Sequence, residues 1–305
     1  MILVTGGAGF IGGHLAEALT KEGRPVRVLD ERGSLFSGPG RYVGSILSPT
    51  AVEVAMAEVD TVVHLADLNN LGSCAEDPVK AVEVNVGGTA ALVKAAAQAG
   101  VKRFILASSA SVYGELPAPH REIDTPEPAS VYGASKLSAE MVMRCVAPPS
   151  LDTIALRLFN VYGPGSKGVV STFAQAALAG TPLPMKEGGA PTRDFIHVRD
   201  VVRAFIACID HRFPLYGPEK INIGRGVATS IGALRFVVVA FVPGAADIEN
   251  VDVEQPPLGP EEVLHSHATT ERAEAILNFR AEVSLREGVE EQVAYEKKLR
   301  EASSG

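Results

Sequence analysis

The sequence predicts an α/β fold, a doubly wound parallel sheet followed by a smaller, loop-rich C-terminal lobe. Three observations support this. Short apolar runs rich in β-branched residues alternate with helical patterns through the first half of the chain, which places helices on both faces of a parallel sheet. A glycine-rich turn follows the first run and opens the first helical pattern. After about residue 160, prolines and glycines break the pattern into loops and short elements.

Ile2–Thr5, Val26–Leu29, Thr61–Leu65, Phe104–Ala107 and Thr153–Leu156 read as buried strands, because they are short and β-branched. Between them, His14–Lys21, Val79–Ala99 and Tyr132–Cys145 read as helices. Gly100, just before Val101-Lys102-Arg103, is a helix stop. Beyond Asn160 the breakers are Pro164, Gly165, Gly168, Pro182, Pro184, Gly188 and Gly189. Two further strands, Asp194–His197 and Lys220–Ile223, flank a helix over Val198–Cys208. Residues 1–160 are therefore expected to form the sheet domain and residues 161–305 mainly the lobe, with parts of about 193–225 folding back onto the sheet. Glu301–Gly305 reads as a frayed end.

Composition narrows the function. A chain of 305 residues can bury a substantial core. Its net charge of -8 argues against a dedicated nucleic-acid binder. No apolar run approaches the roughly 20 residues of a membrane span, and no basic segment precedes Met1-Ile2-Leu3-Val4, so neither a membrane anchor nor a signal peptide is expected. Cys74, Cys145 and Cys208 lie far apart and read as reduced thiols of a cytoplasmic protein. The histidines have no metal-site spacing, so no metal is implied.

Thr5-Gly6-Gly7-Ala8-Gly9-Phe10-Ile11-Gly12 has the Gly-x-x-Gly-x-x-Gly spacing of a Rossmann-type dinucleotide fingerprint. One glycine makes the tight turn, another lets backbone approach a pyrophosphate, and the last lets helix pack on strand. Asp30, at the end of the second strand, can accept from both adenosine ribose hydroxyls and would repel a 2′-phosphate, which favours NAD over NADP. Arg32 is the counterweight, since an arginine there could accommodate that phosphate.

Tyr132-Gly133-Ala134-Ser135-Lys136 puts a phenol and an ammonium one helical turn apart. A nearby positive charge favours the phenolate and is expected to lower the tyrosine pKa. With Asp60–Ala66, Asn85, Gly88-Thr89, Ser108–Gly114, Arg157–Pro164 and Arg193–Val198, these motifs resemble the extended short-chain dehydrogenases/reductases of the NAD-dependent nucleotide-sugar epimerase/dehydratase superfamily, most of all the UDP-sugar 4-epimerases. The resemblance implies a catalytic set of Ser109, Tyr132 and Lys136. It implies NAD held by Gly6, Gly9, Phe10, Ile11, Gly12, Asp30, Leu65, Ala66, Asn85, Tyr132, Lys136 and Phe159. It also implies a nucleotide-diphosphate sugar, with UDP-sugars favoured, held by Ser109, Ser111, Tyr132, Asn160, Arg193 and Glu262. His64 and His197 belong to strand motifs with structural roles. A homodimer through Val79–Ala99 and Tyr132–Cys145 is implied in the same way.

Ala110-Ser111 divides the superfamily. The 4,6-dehydratases it resembles carry Asp-Glu there, and nucleotide-sugar decarboxylases carry a glutamate at the position of Ser111. Neither alanine nor serine can replace a carboxylate as an acid–base group. Reversible hydride transfer at the sugar C4 is left, as in a 4-epimerase. A nucleotide-4-keto-sugar 4-reductase would use the same triad, and a non-catalytic dinucleotide sensor is the alternative from another class. The substrate end departs from the family. Gly259-Pro260-Glu261-Glu262 stands where Arg-x-Gly-Asp is usual, so the arginine is absent, Glu262 replaces the aspartate, and Arg225 is a candidate to compensate. Ser45 replaces an adenine-binding aspartate, Ser266 falls at a gate beside the sugar, where a small residue could admit an N-acetyl group, and Asp67, in place of a small alanine, reads as a solvated loop residue.

Overall fold

The computed structural model describes residues 1–33, 40–211, 219–245, 248 and 262–304. The chain opens with β1 (Ile2–Thr5), α1 (Phe10–Lys21), β2 (Val26–Asp30), β3 (Arg41–Val43), α2 (Pro49–Met56) and β4 (Thr61–His64). It continues through α3 (Leu71–Glu76), α4 (Pro78–Val82), a π-helical turn Glu83–Gly88, α5 (Thr89–Ala99), β5 (Arg103–Ser109), α6 (Val131–Val146) and β6 (Asp152–Leu158). The remainder comprises β7 (Asn160–Tyr162), α7 (Val169–Ala179), β8 (Thr192–Arg193), β9 (Phe195–His197), α8 (Val198–Asp210), β10 (Glu219–Ile223), β11 (Thr229–Ser230), α9 (Ile231–Val239), β12 (His265–Ser266), α10 (Glu271–Leu277) and α11 (Leu285–Ser304).

Seven strands form one sheet in the order β10-β6-β5-β4-β1-β2-β3, every pairing parallel. The order reverses between β1 and β4, the crevice where such sheets bind ligands. Each face is covered. Leu15 and Leu19 of α1 and Phe205 of α8 pack on one side, and Val52 of α2, Leu92 of α5 and Met143 of α6 on the other. The strands read as apolar runs because they are buried on both faces. A third core joins Phe173 of α7, Leu234 of α9 and Val289 of α11 in the lobe. Two small sheets, β7-β9 and β11-β8-β12, complete the fold.

Three expectations change. The helix foreseen over Val79–Ala99 is interrupted at Glu83–Gly88 by a π-helical turn, a feature frequent at functional sites. The stretch after Asn160 holds the expected short elements but also further full helices, of which α7 is bounded by glycines. Gly168 caps α7 at its start and Gly180, in the left-handed conformation, at its end. Glu301–Ser304 is not frayed but continues α11. Among the described residues, no helix is long and apolar enough to cross a membrane.

Candidate active site

The site begins at the glycine turn. Gly6 has a φ of 72°, and a Cβ there would stand 2.6 Å from the Ala66 backbone nitrogen. A Cβ on Gly12 would stand 2.3 Å from the Gly6 carbonyl oxygen. Glycine is therefore required for α1 to sit this close to β1 and to the Leu65-Ala66 segment after β4. The N-cap of α1 is Gly9, and no side chain caps it. Helices α2, α6 and α9 instead use a serine hydroxyl there. The first N–H groups of α1, from Phe10 and Ile11 onward, are thus left for an anion, as a dinucleotide pyrophosphate requires. Asp30 is buried and accepts from the backbone nitrogens of Ala8 and Arg32, each at 2.9 Å. It braces the turn and keeps lone pairs for ribose hydroxyls. Arg32 is exposed, its Nε 3.6 Å from Asp30. The turn, the uncapped helix and the strand-end carboxylate fit a dinucleotide. Ser45 accepts from the Leu47 nitrogen and serves its own loop.

Asn85 sits in the π-helical turn, fully engaged. Its Oδ1 accepts from the Leu68 nitrogen at 2.8 Å, and its Nδ2 donates to the Leu68 carbonyl at 3.0 Å and to Ser135 Oγ at 2.9 Å. One side chain thereby ties the Leu65–Leu68 segment to α6. His64 is a structural residue. It bonds Thr5 at 2.8 Å and Thr89 at 3.0 Å, and burial pushes its pKa down to about 3, helped by the charge of Lys136. His197 caps α8.

Helix α6 presents Tyr132 and Lys136. Ser130 caps it by accepting from Gly133 at 3.0 Å, and a Cβ on Gly133 would meet the Ser111 carbonyl at 2.4 Å. That glycine lets the first turn of α6 dock on the turn Ala110–Val112 that follows β5. There Ser111 donates through its hydroxyl at 2.7 Å and its backbone nitrogen at 3.2 Å to Ser109 Oγ, and Ser109 in turn hydrogen-bonds Tyr132. Ser111, Ser109 and Tyr132 form one hydroxyl chain. Lys136 Nζ lies 5.9 Å from the Tyr132 ring centre and 2.8 Å from Asp67 Oδ2.

The expected lowering of the Tyr132 pKa is absent. Burial raises it well above the ordinary value, the charge of Asp67 adds to the rise, and the Ser109 hydrogen bond opposes it. The ammonium that was to favour the phenolate is neutralised by Asp67. Nor is Asp67 solvated, since its side chain is only 12% exposed and that of Lys136 only 4%.

A cleft of about 380 Å³ opens over this centre, lined by Ser109, Ala110, Ser111, Tyr132, Phe159, Asn160, Arg193, Glu262 and Ser266 among others. Phe159 is buried against Tyr113 and Ala268. Asn160, opening β7, is tied by its nitrogen to the Asp194 carbonyl. Arg193 does not pair with Asp194. It donates to the carbonyls of Thr192 and Leu264 at 2.9 and 3.2 Å, while Asp194 accepts from the backbone nitrogens of Arg225, Gly226 and Ala268. Burial holds Arg193 below its ordinary pKa against the pull of Glu262 and Glu115. Glu262 pairs with Lys186, a lysine that no motif in the chain marks. Arg225 is not among the residues of the cleft. Positions 259–261 lie outside the described residues. No cluster fit to hold a metal occurs among the described residues.

The family described as NAD dependent epimerase/dehydratase matches residues 2–224. A UDP-glucose 4-epimerase of Mycolicibacterium smegmatis is 33% identical over 315 residues, covering 96% of this chain and 97% of that protein. A UDP-N-acetyl-alpha-D-glucosaminuronate decarboxylase of Bacillus cytotoxicus is 31% identical, covering 96% of each. Among solved structures, MoeE5 in complex with UDP-glucose and NAD superposes with a TM-score of 0.86 at 32% identity, over 98% of this chain and 99% of that one. UDP-glucose 4-epimerase of Thermotoga maritima with UDP-glucose superposes at 0.88 with 31% identity, over 98% and 99%.

Proposed function

This chain belongs to the NAD-dependent epimerase/dehydratase family, and from that premise we propose that it is a UDP-sugar 4-epimerase. The observation that carries the reading is the hydroxyl chain Ser111–Ser109–Tyr132 beside Lys136, with Ala110 and Ser111 where elimination or decarboxylation would need carboxylates. Ser109 orients the C4 hydroxyl of the sugar. Tyr132 removes its proton as the carbon is oxidised, and returns a proton when the 4-keto sugar is reduced on its other face. NAD held at the α1 turn would supply a reversible hydride acceptor, with no net consumption. Asn160 and Arg193 hold the diphosphate, the guanidinium suiting phosphate oxygens, and Glu262 faces the nucleotide. Gly6, Gly9, Gly12, Asp30, Leu65, Ala66 and Asn85 hold the cofactor.

In this proposal residues 1–160 are the cofactor domain and residues 161–305 mainly the substrate lobe. The enzyme works in the cytoplasm as a homodimer. The exposed apolar side chains of Val79, Val82 and Met141 on α4 and α6 support a second copy at that face. The test is conversion of UDP-sugars by the purified chain with no added reductant, with bound ligands released and weighed by mass spectrometry. Bound NAD and C4 inversion are expected, and Tyr132→Phe should reduce turnover by at least a hundredfold while sparing NAD binding. Stoichiometric oxidation of NAD(P)H by a 4-keto sugar would instead identify a reductase, and tight NAD binding without turnover a sensor.

A further inference from the structure

We infer that Asp67 is a positioning residue of this centre, its carboxylate anchoring the Lys136 ammonium beside Tyr132. The Lys136–Asp67 contact of 2.8 Å is enclosed, the two side chains being 4% and 12% exposed. The segment carrying Asp67 is fixed independently. Asn85 clamps the next residue, Leu68, through both its N–H and its carbonyl, and bonds Ser135, the residue before Lys136 on α6. Cys74 of α3 also donates to the Leu68 carbonyl. Carboxylate and ammonium are therefore held together from both backbones rather than meeting by chance on a flexible loop.

The consequence is electrostatic. A lysine without a partner would stabilise the phenolate, whereas a lysine paired with Asp67 contributes little net charge. Among the described residues, the groups facing Tyr132 and its lysine are few. They are Asp67 on the segment after β4, Cys74 on α3, Ser109 at the end of β5, Lys136 on the same helix, and His64 at the end of β4, which is neutral at physiological pH. Arg193 and Glu262 line the same cleft from the lobe. Of these, Asp67 adds the largest charge opposing ionisation of Tyr132. A tyrosine poised this way keeps its proton until further positive charge enters the cleft. That bias suits a group that must both take a proton and give it back.

The inference rests on Tyr132 being the acid–base group proposed above, so the experiment reads its ionisation apart from turnover. The full chain with saturating NAD is titrated by phenolate ultraviolet absorbance, with and without Tyr132→Phe, and the difference isolates Tyr132. In Asp67→Asn, which keeps size and an acceptor for Lys136, the midpoint should fall by about one pH unit or more. The acid limb of the turnover profile should move down with it, and Asp67→Glu should restore both. Asp67→Ser repeats the measurement should the asparagine variant fail to fold. An unchanged midpoint in a folded neutral variant overturns the inference. A lowered midpoint in a chain that turns over no sugar supports the inference and overturns the catalytic reading instead.

Discussion

Glu140 lies one turn beyond Lys136 on α6, and its replacement tests what seats the helix carrying Tyr132 on the sheet. Its Oε1 accepts from Arg157 Nε at 3.0 Å and from the Ser108 hydroxyl at 2.5 Å, and its Oε2 accepts from Arg157 Nη2 at 2.7 Å. The Arg157 side chain is wholly buried and that of Glu140 6% exposed. Burial opposes the charge on Arg157, yet the hydrogen bonds and charge of Glu140 carry its pKa above the ordinary value. In Glu140→Ala the guanidinium stays buried without its counter-ion, which costs about 3–5 kcal/mol, and Ser108 loses its acceptor for about 1 kcal/mol more. Against a total stability of about 5–15 kcal/mol, that is about a quarter or more. Urea unfolding followed by circular dichroism, at one fixed NAD concentration, should show a much lower midpoint at an unchanged slope. Pairing Glu140→Leu with Arg157→Met removes both charges and should recover most of the loss, because an apolar pair of similar volume avoids desolvation. A Glu140→Ala cost below about 1 kcal/mol, or a double variant no better than the single, would refute this reasoning.

Gly12→Ala drives a methyl to within 2.3 Å of the Gly6 carbonyl oxygen. The strain of about 1–3 kcal/mol falls on the turn, so calorimetry should find NAD affinity lowered about ten- to a hundredfold, and unchanged affinity would remove this turn from the cofactor site. His64 gives stability a pH dependence of definite sign. Its imidazole is held neutral with a pKa near 3 against an ordinary 6.5. Between those values the unfolded chain binds the proton and the folded chain does not, so stability falls as pH drops from about 6.5 toward about 3. The urea midpoint should fall between about pH 7 and about pH 5, and His64→Asn should lose part of that slope. An equal slope in the variant would count against His64 as the source.

Whatever depends on near neighbours in the chain was legible. The glycine turn, the short β-branched strands and the Tyr132–Lys136 spacing are local patterns, and each lies where its pattern places it. What escaped depends on partners far apart. Asp67 is unusual in sequence, but its partner is 69 residues away, and an acidic residue beside a turn reads as solvated until the fold encloses it. Arg157 and Glu140 are two more such partners. The interruption at Glu83–Gly88 was also missed, although the Gly87-Gly88 pair is a local weak point in a helix. It follows from how Asn85 must turn to meet Leu68 and Ser135. In the lobe, Gly168 reads only as a break in the pattern, where it is the N-cap of α7, which ends at Gly180.

The two halves of the cleft are built by different means, and this bears on why similar chains differ in reaction. The Tyr132 side is over-determined. Helix α6 is held by Glu140 to β5 and β6, by Ser135 to the π-helical turn, and by Ser130 at its cap. Moving Tyr132 by a fraction of an ångström would disturb several buried polar contacts at once, which are costly to leave unmade. The facing side rests on short elements. Arg193 ends the two-residue β8, Ser266 ends the two-residue β12, and Glu262 precedes it in a loop. Substitutions there disturb few buried contacts, so the sugar and nucleotide accepted can diverge while the proton and hydride machinery stays fixed. Relatives at about one-third identity bear the names of an epimerase and a decarboxylase. In the reading proposed above, what separates such activities lies at Ser109, Ala110 and Ser111, which line the cleft beside Tyr132. In this chain those positions offer hydroxyls and a methyl, and no carboxylate.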